Sequence, residues 1–489
     1  MEAVSISQSS AGRWISDRRG FVVSVVLALS SGLALRLWML KNFFDLHGDP
    51  LIYGGLAKNL LLHGQYLVNI GGLPPTPTLI RLPGYPLFLA LCFRIFGIEN
   101  YASAAWVQIP LELAGCLLLA DFAAHIAPAS QCDGAAHCTL WLAVLCPFTA
   151  IYSITPLTES LTLFMLALAL WSMACFRDKP GWPPALLFTF AVTFAAMLRP
   201  DGILVAAALV PALLLGLWHG DAGRAIQAKK LARIAIVCTF LALAPFAAWT
   251  GRNWRVFHVF EPLAPRYAVD PGQETYPGWQ RWVKTWCLDY VSTYDIYWPV
   301  PGSPLDLTKL PSRAFDSHAQ YAQTAALVSD YNDRDNASDI VPDVDARFAK
   351  LAEERIHAHP LRYYLWLPLG RVADMWLRPR VENLNIDLDW WVYSHHNSET
   401  RFSWACAALN LLYLVLGFAG LCLRPRFWRP MLAYFLLRSA VLATIEAPES
   451  RYTLECFPML FALGGVALYR LTCTVLLLVG KMNASAGNA

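Results

Sequence analysis

Apolar runs as long as a lipid bilayer is thick, or nearly so, recur along most of this chain, at about 21–41, 101–126, 136–153, 157–176, 183–198, 201–218, 232–250, 402–422, 430–446 and 454–479. Roughly 20 such residues in a helix cover the hydrocarbon core. Within lipid, a lone helix is one of the few structures that satisfies its own backbone. The expected fold class is therefore all-α, a polytopic membrane protein with about ten transmembrane helices. Composition agrees, since 56% hydrophobic and 15% charged residues with a mean hydropathy of +0.41 rule out a soluble multidomain protein. The first run follows Arg18 and Arg19 and extends from Phe21 to Leu40 without a small-residue cleavage site, so it reads as a first transmembrane helix rather than a signal peptide. A formal net charge of +3 gives no footing for a nucleic-acid partner. The 12 cysteines lie mostly inside apolar runs and define neither a disulfide framework nor a metal-spaced cluster.

Lys and Arg set the orientation. They flank the first helix (Arg13, Arg18, Arg19), the fourth (Arg177, Lys179), the sixth (Arg224, Lys229, Lys230, Arg233) and the eighth (Arg424, Arg426, Arg429). Alternating spans bring all these flanks to one side, so both termini are expected in the cytoplasm. The opposite side then receives 42–100, the turn Tyr152–Glu159, the stretch 251–400 and the turn Glu446–Tyr452. The chain accordingly divides into an N-terminal transmembrane module (1–250) whose first loop (42–100) holds the best catalytic candidates, an extracytoplasmic loop region (251–400), and C-terminal transmembrane helices (401–489). Gly84–Phe96 and Tyr363–Leu377 are apolar but too short to cross, and are expected as interfacial helices. The region 251–400 carries nine tryptophans and a helix expected over Val344–His357 with Asp343 as its N-cap. It is too long to be a mere connector.

Several polar residues collect on the outer side. Asp49 heads GDPLIYGGLAKNLLLHG, in which Tyr53, Leu56, Ala57 and Leu60 follow at helical spacing. Its carboxylate therefore lies at the N-terminus of a short interfacial helix, where the macrodipole favours the ionised form. That position suits a general base and suits a helix cap equally well. Arg81 precedes the rigid turn Pro83-Gly84-Tyr85-Pro86, placed either to grip a lipid phosphate with two nitrogens or to snorkel to ordinary headgroups. Glu159 stands at the mouth of the fourth span, and ionisable groups at membrane depth are costly and usually functional. Arg252 and Arg451 come to the same face from distant parts of the sequence, where two guanidiniums can serve helix ends or clamp one phosphate. Arg36, Glu112, Asp121 and Arg438 lie within spans and read as members of interhelical pairs. The group Asp387, Asp389, His395, His396 and Glu399 matches no standard ligand spacing.

Taken together, Gly48-Asp49-Pro50-x-x-Tyr53, Arg81-Leu82-Pro83-Gly84-Tyr85-Pro86-Leu87-Phe88-Leu89-Ala90, Phe96-Gly97, Pro156-Leu157-Thr158-Glu159-Ser160-Leu161, Leu198-Arg199-Pro200-Asp201-Gly202, Gly251-Arg252-Asn253 and Arg451-Tyr452 resemble the GT-C integral-membrane glycosyltransferases. The likeness is to the bacterial branch of protein O-mannosyltransferases, the lipid A aminoarabinose transferase and the lipopolysaccharide galacturonosyl transferases. It covers most of the chain in order.

The resemblance implies a glycosyltransferase that uses a polyprenyl-phosphate sugar as donor and inverts the anomeric carbon on the outer face of the bacterial cytoplasmic (inner) membrane. It makes Asp49 the essential first-loop aspartate and Glu159 the second acidic residue, with Tyr53, Arg81, Arg252, Arg451 and Tyr452 around the donor phosphate. The partners are then membrane lipids, the lipid-linked donor, and a lipid, glycan or protein acceptor. Some members carry an acidic residue just before the loop's basic residue, implying a divalent cation such as Mg or Mn. Here that place is Ile80, so no cofactor is assigned. A transporter or flippase of a lipid-linked sugar is the alternative of another class, and an inert glycolipid-binding component a third. Against the transporter, the sequence has no inverted repeat and no matched pair of broken spans.

Overall fold

The computed structural model describes residues 10–69, 74–218, 224–333, 339–384, 386–387, 390–391 and 397–486. It is predominantly helical, with a single two-stranded antiparallel ribbon among the described residues. The helices are α1 Ser10–Phe43, α2 Asp49–His63, α3 Gly84–Phe96, α4 Tyr101–Ile126, α5 Cys132–Val144, α6 Pro147–Ile154, α7 Thr158–Asp178, α8 Trp182–Leu198, α9 Ile203–Trp218 and α10 Arg224–Phe257. After these come α11 Pro277–Lys284, the single turn α12 Tyr290–Ser292, α13 His318–Asn332, α14 Pro342–Ala358, α15 Leu367–Leu377, α16 Asn397–Cys422, α17 Trp428–Leu442 and α18 Phe457–Ala486.

Among the described residues, six helical stretches are long and apolar enough to cross a bilayer: Gly20–Phe43, Tyr101–Ile126, Thr158–Asp178, Ala228–Phe257, Asn397–Cys422 and Ser450–Val479. Helices α5 and α6 together add a seventh that bends by 55°. Pro147 explains the bend, because it has no amide hydrogen to continue α5 and instead opens α6. The remaining expected spans fall on shorter helices, the apolar α8 and α9 and the 15-residue α17. This is a multi-pass membrane protein.

The chain divides into two compact units. The first comprises 1–264, 412–432 and 455–489. In it α7 packs along α8 and α4, and α18 and α4 pack on α5. Two of the expected interhelical pairs lie here. Arg36 of α1 is fully buried and donates from Nε to Glu112 of α4 at 2.5 Å, while its Nη1 reaches the carbonyls of Gly32 and Val144, each at 2.8 Å. A guanidinium buried at this depth costs several kcal/mol unless paired and hydrogen-bonded, as it is here. Asp121 of α4 accepts from the Trp171 indole of α7 at 2.7 Å.

The second unit comprises 265–411 and 433–454. It has its own core, with Trp279, Trp282 and Trp286 packed on Phe348 and Tyr331 between α11, α13 and α14. Arg355 is buried beside this core and donates to Thr285 and to the Ala314 and Arg313 carbonyls at 2.8–2.9 Å. The expected helix is present as α14, but Asp343 is not its N-cap. The helix starts at Pro342 after Val341, and Pro342 at its first position needs no amide partner. The carboxylate that caps belongs to Asp345, and it caps α11, accepting from the amides of Gly278 at 3.0 Å and Trp279 at 2.8 Å. Arg438, also expected to pair, donates to the Tyr452 carbonyl at 2.8 Å.

Candidate active site

In the first unit the chain leaves α1 and turns at Gly48, whose φ of 67° favours glycine. Asp49 is the first residue of α2, and Gly48 rather than Asp49 occupies the N-cap position. The Asp49 carboxylate receives Nη2 of Arg81 at 2.8 Å, both side chains about a quarter exposed. Acid and cation, 32 residues apart in sequence, thus stand together at a partly open surface.

Tyr53 follows one turn along α2. Its ring is buried and packs 5.1 Å from that of Tyr85. Burial pushes the Tyr53 hydroxyl up to about 12; Arg81 and Arg199 pull it down, Asp49 and Glu159 push it up. Tyr53 therefore lies in the field of both ion pairs of this region, and it stays neutral at physiological pH. Tyr85 donates to Gln108 at 2.7 Å, and Gln108 donates in turn to the carbonyls of Ser153 at 3.2 Å and Thr155 at 2.9 Å. This chain of bonds ties the first loop to the mouth of α7, where Glu159 sits.

Glu159 lies in the first turn of α7 and is 1% exposed. Nη1 of Arg199 meets it at 2.8 Å, and Nε of the same guanidinium stands 3.2 Å from Glu455 and 3.3 Å from Asp201. Three carboxylates from α7, the α8–α9 turn and the turn before α18 thus share one arginine. Two glycines permit the packing: a Cβ on Gly84 would fall 2.5 Å from the Met197 carbonyl oxygen, and one on Gly202 would fall 2.2 Å from that of Ala195. Gly84 thereby brings the loop of Arg81 against the end of α8, two residues before Arg199.

Between α2 and α3 the ribbon pairs β1 (Leu67–Val68) with β2 (Thr76–Pro77). Arg252, near the end of α10, holds both sides of it, donating from Nη1 to the Thr78 carbonyl at 2.7 Å and from Nη2 to the Tyr66 carbonyl at 3.0 Å. Its guanidinium also lies over the rings of Tyr66, Trp249 and Phe257. The Tyr66 hydroxyl reaches the Arg81 carbonyl at 3.1 Å. Arg252 therefore stands behind Arg81, two hydrogen bonds away.

Arg451 and Tyr452 belong to the second unit. Arg451 Nε donates to Glu449 at 2.5 Å, and the Tyr452 hydroxyl donates to the other oxygen of Glu449. Arg380 fixes this turn from below, donating to the Ser450 carbonyl at 2.7 Å and to the Thr453 hydroxyl at 2.6 Å.

Among solved structures, the oligosaccharyltransferase AglB from Archaeoglobus fulgidus, in complex with an inhibitory peptide and a dolichol-phosphate, is similar over 96% of this chain at a TM-score of 0.50 and 12% identity. A second structure of the Archaeoglobus enzyme, tethered to an acceptor peptide, is similar over 94% of the chain at a TM-score of 0.51 and 13% identity. The chain has the GT-C fold. It spans about half the length of these oligosaccharyltransferases, covering 52% and 50% of them. ArnT from Cupriavidus metallidurans bound to undecaprenyl phosphate aligns with 91% of this chain and 78% of its own, at a TM-score of 0.35 and 14% identity. No protein-family model matches the sequence, and no curated protein matches it significantly.

On this GT-C scaffold the structure brings together Asp49, Tyr53 and Arg81, and through the field at Tyr53 it joins them to Glu159 and Arg199. Arg252 is held by backbone carbonyls of the first loop, and Arg451 and Tyr452 are held by Glu449 in the second unit. The sequence reading gave no role to Arg199, Glu455 or Gln108. Arg199 lies in Leu198-Arg199-Pro200-Asp201-Gly202, where its signal is a cation two residues from Asp201 at a helix junction; Glu455 and Gln108 carry no pattern in the sequence. For a divalent cation the donor set does not fit. Ile80 is aliphatic, the charge of Asp49 is met by Arg81, and no group of three His, Cys, Asp or Glu residues among the described residues could hold a metal. Asp389, His395 and His396 lie outside the described residues.

Proposed function

We propose that this protein is a glycosyltransferase that moves a sugar from a polyprenyl-phosphate donor to an acceptor hydroxyl, with inversion, on the extracytoplasmic face of the bacterial cytoplasmic membrane. One observation carries the reading: within a GT-C fold, the Asp49 carboxylate and the Arg81 guanidinium stand 2.8 Å apart at a partly open surface beside buried Tyr53. The dolichol-phosphate bound to AglB supports a lipid-phosphate donor. The clustering of Lys and Arg on the opposite side of the spans supports the sidedness.

A polyprenyl phosphate is already a good leaving group, so the step needs stabilisation of phosphate charge more than it needs a general acid. The acceptor oxygen forms its bond to the anomeric carbon as the bond from that carbon to the phosphate oxygen breaks. The acceptor's proton passes to Asp49, and the electron pair leaves with the polyprenyl phosphate. Arg81 is the first guanidinium that the phosphate meets. A phosphate arriving there competes for the nitrogen that Asp49 now holds, and the carboxylate turns to the acceptor. Arg252 positions Arg81 through Tyr66. Glu159, held by Arg199, orients the acceptor or the base.

The test is sugar transfer by the purified protein from radiolabelled undecaprenyl-phosphate sugars. Asp49→Asn and Arg81→Ala are expected to lose at least about a hundredfold in rate, the usual worth of one general base or one charge-stabilising contact. Wild-type turnover by Asp49→Asn removes the mechanism.

A further inference from the structure

The second unit carries a group of residues that none of these roles uses. Asp289 caps α12 by accepting from the Ser292 amide at 2.9 Å, and the wider turn Thr293–Tyr297 follows, so that Tyr290, Tyr294 and Trp298 fall at four-residue spacing. Their rings touch, with Tyr290 centred 5.7 Å from Trp298 and Tyr294 5.6 Å from Trp298. Tyr290 is buried, whereas Tyr294 is 48% and Trp298 45% exposed. The Arg378 guanidinium lies over the Tyr290 ring at 5.7 Å and is held from below by both oxygens of Asp374, at 3.1 and 3.2 Å. Beside Arg378 stands Glu382, its side chain 9% exposed. Its Oε1 has no hydrogen-bond partner among the described residues, and the Arg378 Nε is 3.9 Å away.

A buried carboxylate oxygen without a donor is costly, and it is met by a ligand that brings a hydroxyl or amine hydrogen. The exposed faces of Tyr294 and Trp298, which join this edge through the Tyr290 ring under Arg378, call for an apolar surface on the same ligand. A pyranose ring offers both, with C–H bonds on its faces and hydroxyls around its rim. A lipid chain would leave the charged groups unmet. We propose that Tyr294 and Trp298 form the stacking wall, and Glu382 and Arg378 the polar edge, of a saccharide-binding subsite in the second unit. Burial pushes the Glu382 carboxyl up, and Arg378 and a hydrogen bond from the Ser450 side chain oppose this. The subsite deepens the transfer reading by naming where a sugar is held, and it serves either the sugar of the lipid-linked donor or a glycan acceptor.

The experiment is saturation-transfer NMR on the full-length protein in lipid nanodiscs, with methyl glucoside, methyl glucosaminide and methyl glucuronide as probes. Irradiation of aromatic protons is expected to saturate the ring protons of at least one probe. Tyr294→Ala, Trp298→Ala and Glu382→Gln are each expected to weaken that probe about tenfold, the loss of one stacking or charged hydrogen-bond contact. The two aromatic variants alter exposed side chains, and an unchanged melting temperature verifies their folding. Displacement of the probe by undecaprenyl-phosphate glucose but not by undecaprenyl phosphate assigns the subsite to the donor sugar, and displacement by neither assigns it to the acceptor. Absence of saturation for all three probes, or equal binding by the variants, overturns the proposal. Sugar binding lost with transfer intact would remove this subsite and keep the transfer reading, whereas sugar binding at these residues without any transfer would do the reverse.

Discussion

Replacing Arg199 by glutamine removes the cation that three carboxylates share, and the structure fixes how much this should cost. Glu159 is 1% and Glu455 2% exposed, so neither gains much solvation when the guanidinium goes. At an effective dielectric of about 20, contacts at 2.8 and 3.2 Å carry gross attractions of about 6 and 5 kcal/mol, most of which offsets the desolvation of the partners. Stripping one partner from a buried pair leaves that desolvation uncompensated, and the expected loss is about 3–5 kcal/mol. Asp201, 22% exposed, adds little because solvent screens it. The assay is equilibrium unfolding of the purified protein by SDS in mixed micelles, followed by circular dichroism. Arg199→Lys keeps the charge but loses the fork, and should fall between wild type and Arg199→Gln. Adding Glu159→Gln to Arg199→Gln removes a carboxylate that has lost the Arg199 cation and should restore part of the loss. A loss below about 1 kcal/mol for Arg199→Gln, or further destabilisation by the second substitution, would refute the reasoning.

Three further outcomes are expected. Gly84→Ala must push α3 off the Met197 carbonyl, displacing the loop that carries Arg81; a shift of about 1 Å near the chemistry costs on the order of a hundredfold in rate, read as turnover with the melting temperature as control. Arg252→Ala releases the Tyr66 and Thr78 carbonyls, and deuterium exchange of residues 64–69 and 74–82 should rise while the rest of the first unit is unchanged; unaltered exchange there would deny Arg252 its positioning role. In the second unit, burial pushes the Asp316 carboxyl up, but Arg362, bonded at 2.6 and 2.8 Å, and Arg355 outweigh it and hold the group below the usual carboxylate value of 3.8. Its folded value being the lower one, its contribution is complete above pH 3.8 and vanishes as pH falls through the depressed value, so tryptophan fluorescence of this unit should show an acid transition that Asp316→Asn weakens.

Much of this architecture was legible in the sequence because its signals are periodic. Bilayer-length apolar runs become helices, and a mostly apolar stretch of thirteen residues bounded by Pro83 and Gly97 becomes the short helix α3. Asp49 could be placed at the start of α2 because Pro50 fixes the first helical turn. Less was legible where a side chain's duty depends on a distant partner. Asp343 and Asp345 are equally good caps on paper, and only the packing of α11 against α14 selects Asp345 and gives it to another helix. Arg252 and Arg81 carry the same charge, yet one is turned to backbone carbonyls and the other to a carboxylate. Arg199 gathers acids from three separate segments, a geometry that no local spacing encodes.

The central claim is that this chain breaks the bond between a sugar and a polyprenyl phosphate. The most direct measurement counts free undecaprenyl phosphate released per glycoside formed when the purified protein is given a lipid-linked sugar and an acceptor extract from the envelope. The account requires one phosphate for each sugar transferred, an inverted anomeric centre in the product, and loss of both in Asp49→Asn. A protein that moves the intact lipid-linked sugar across a vesicle membrane and liberates no undecaprenyl phosphate would contradict it.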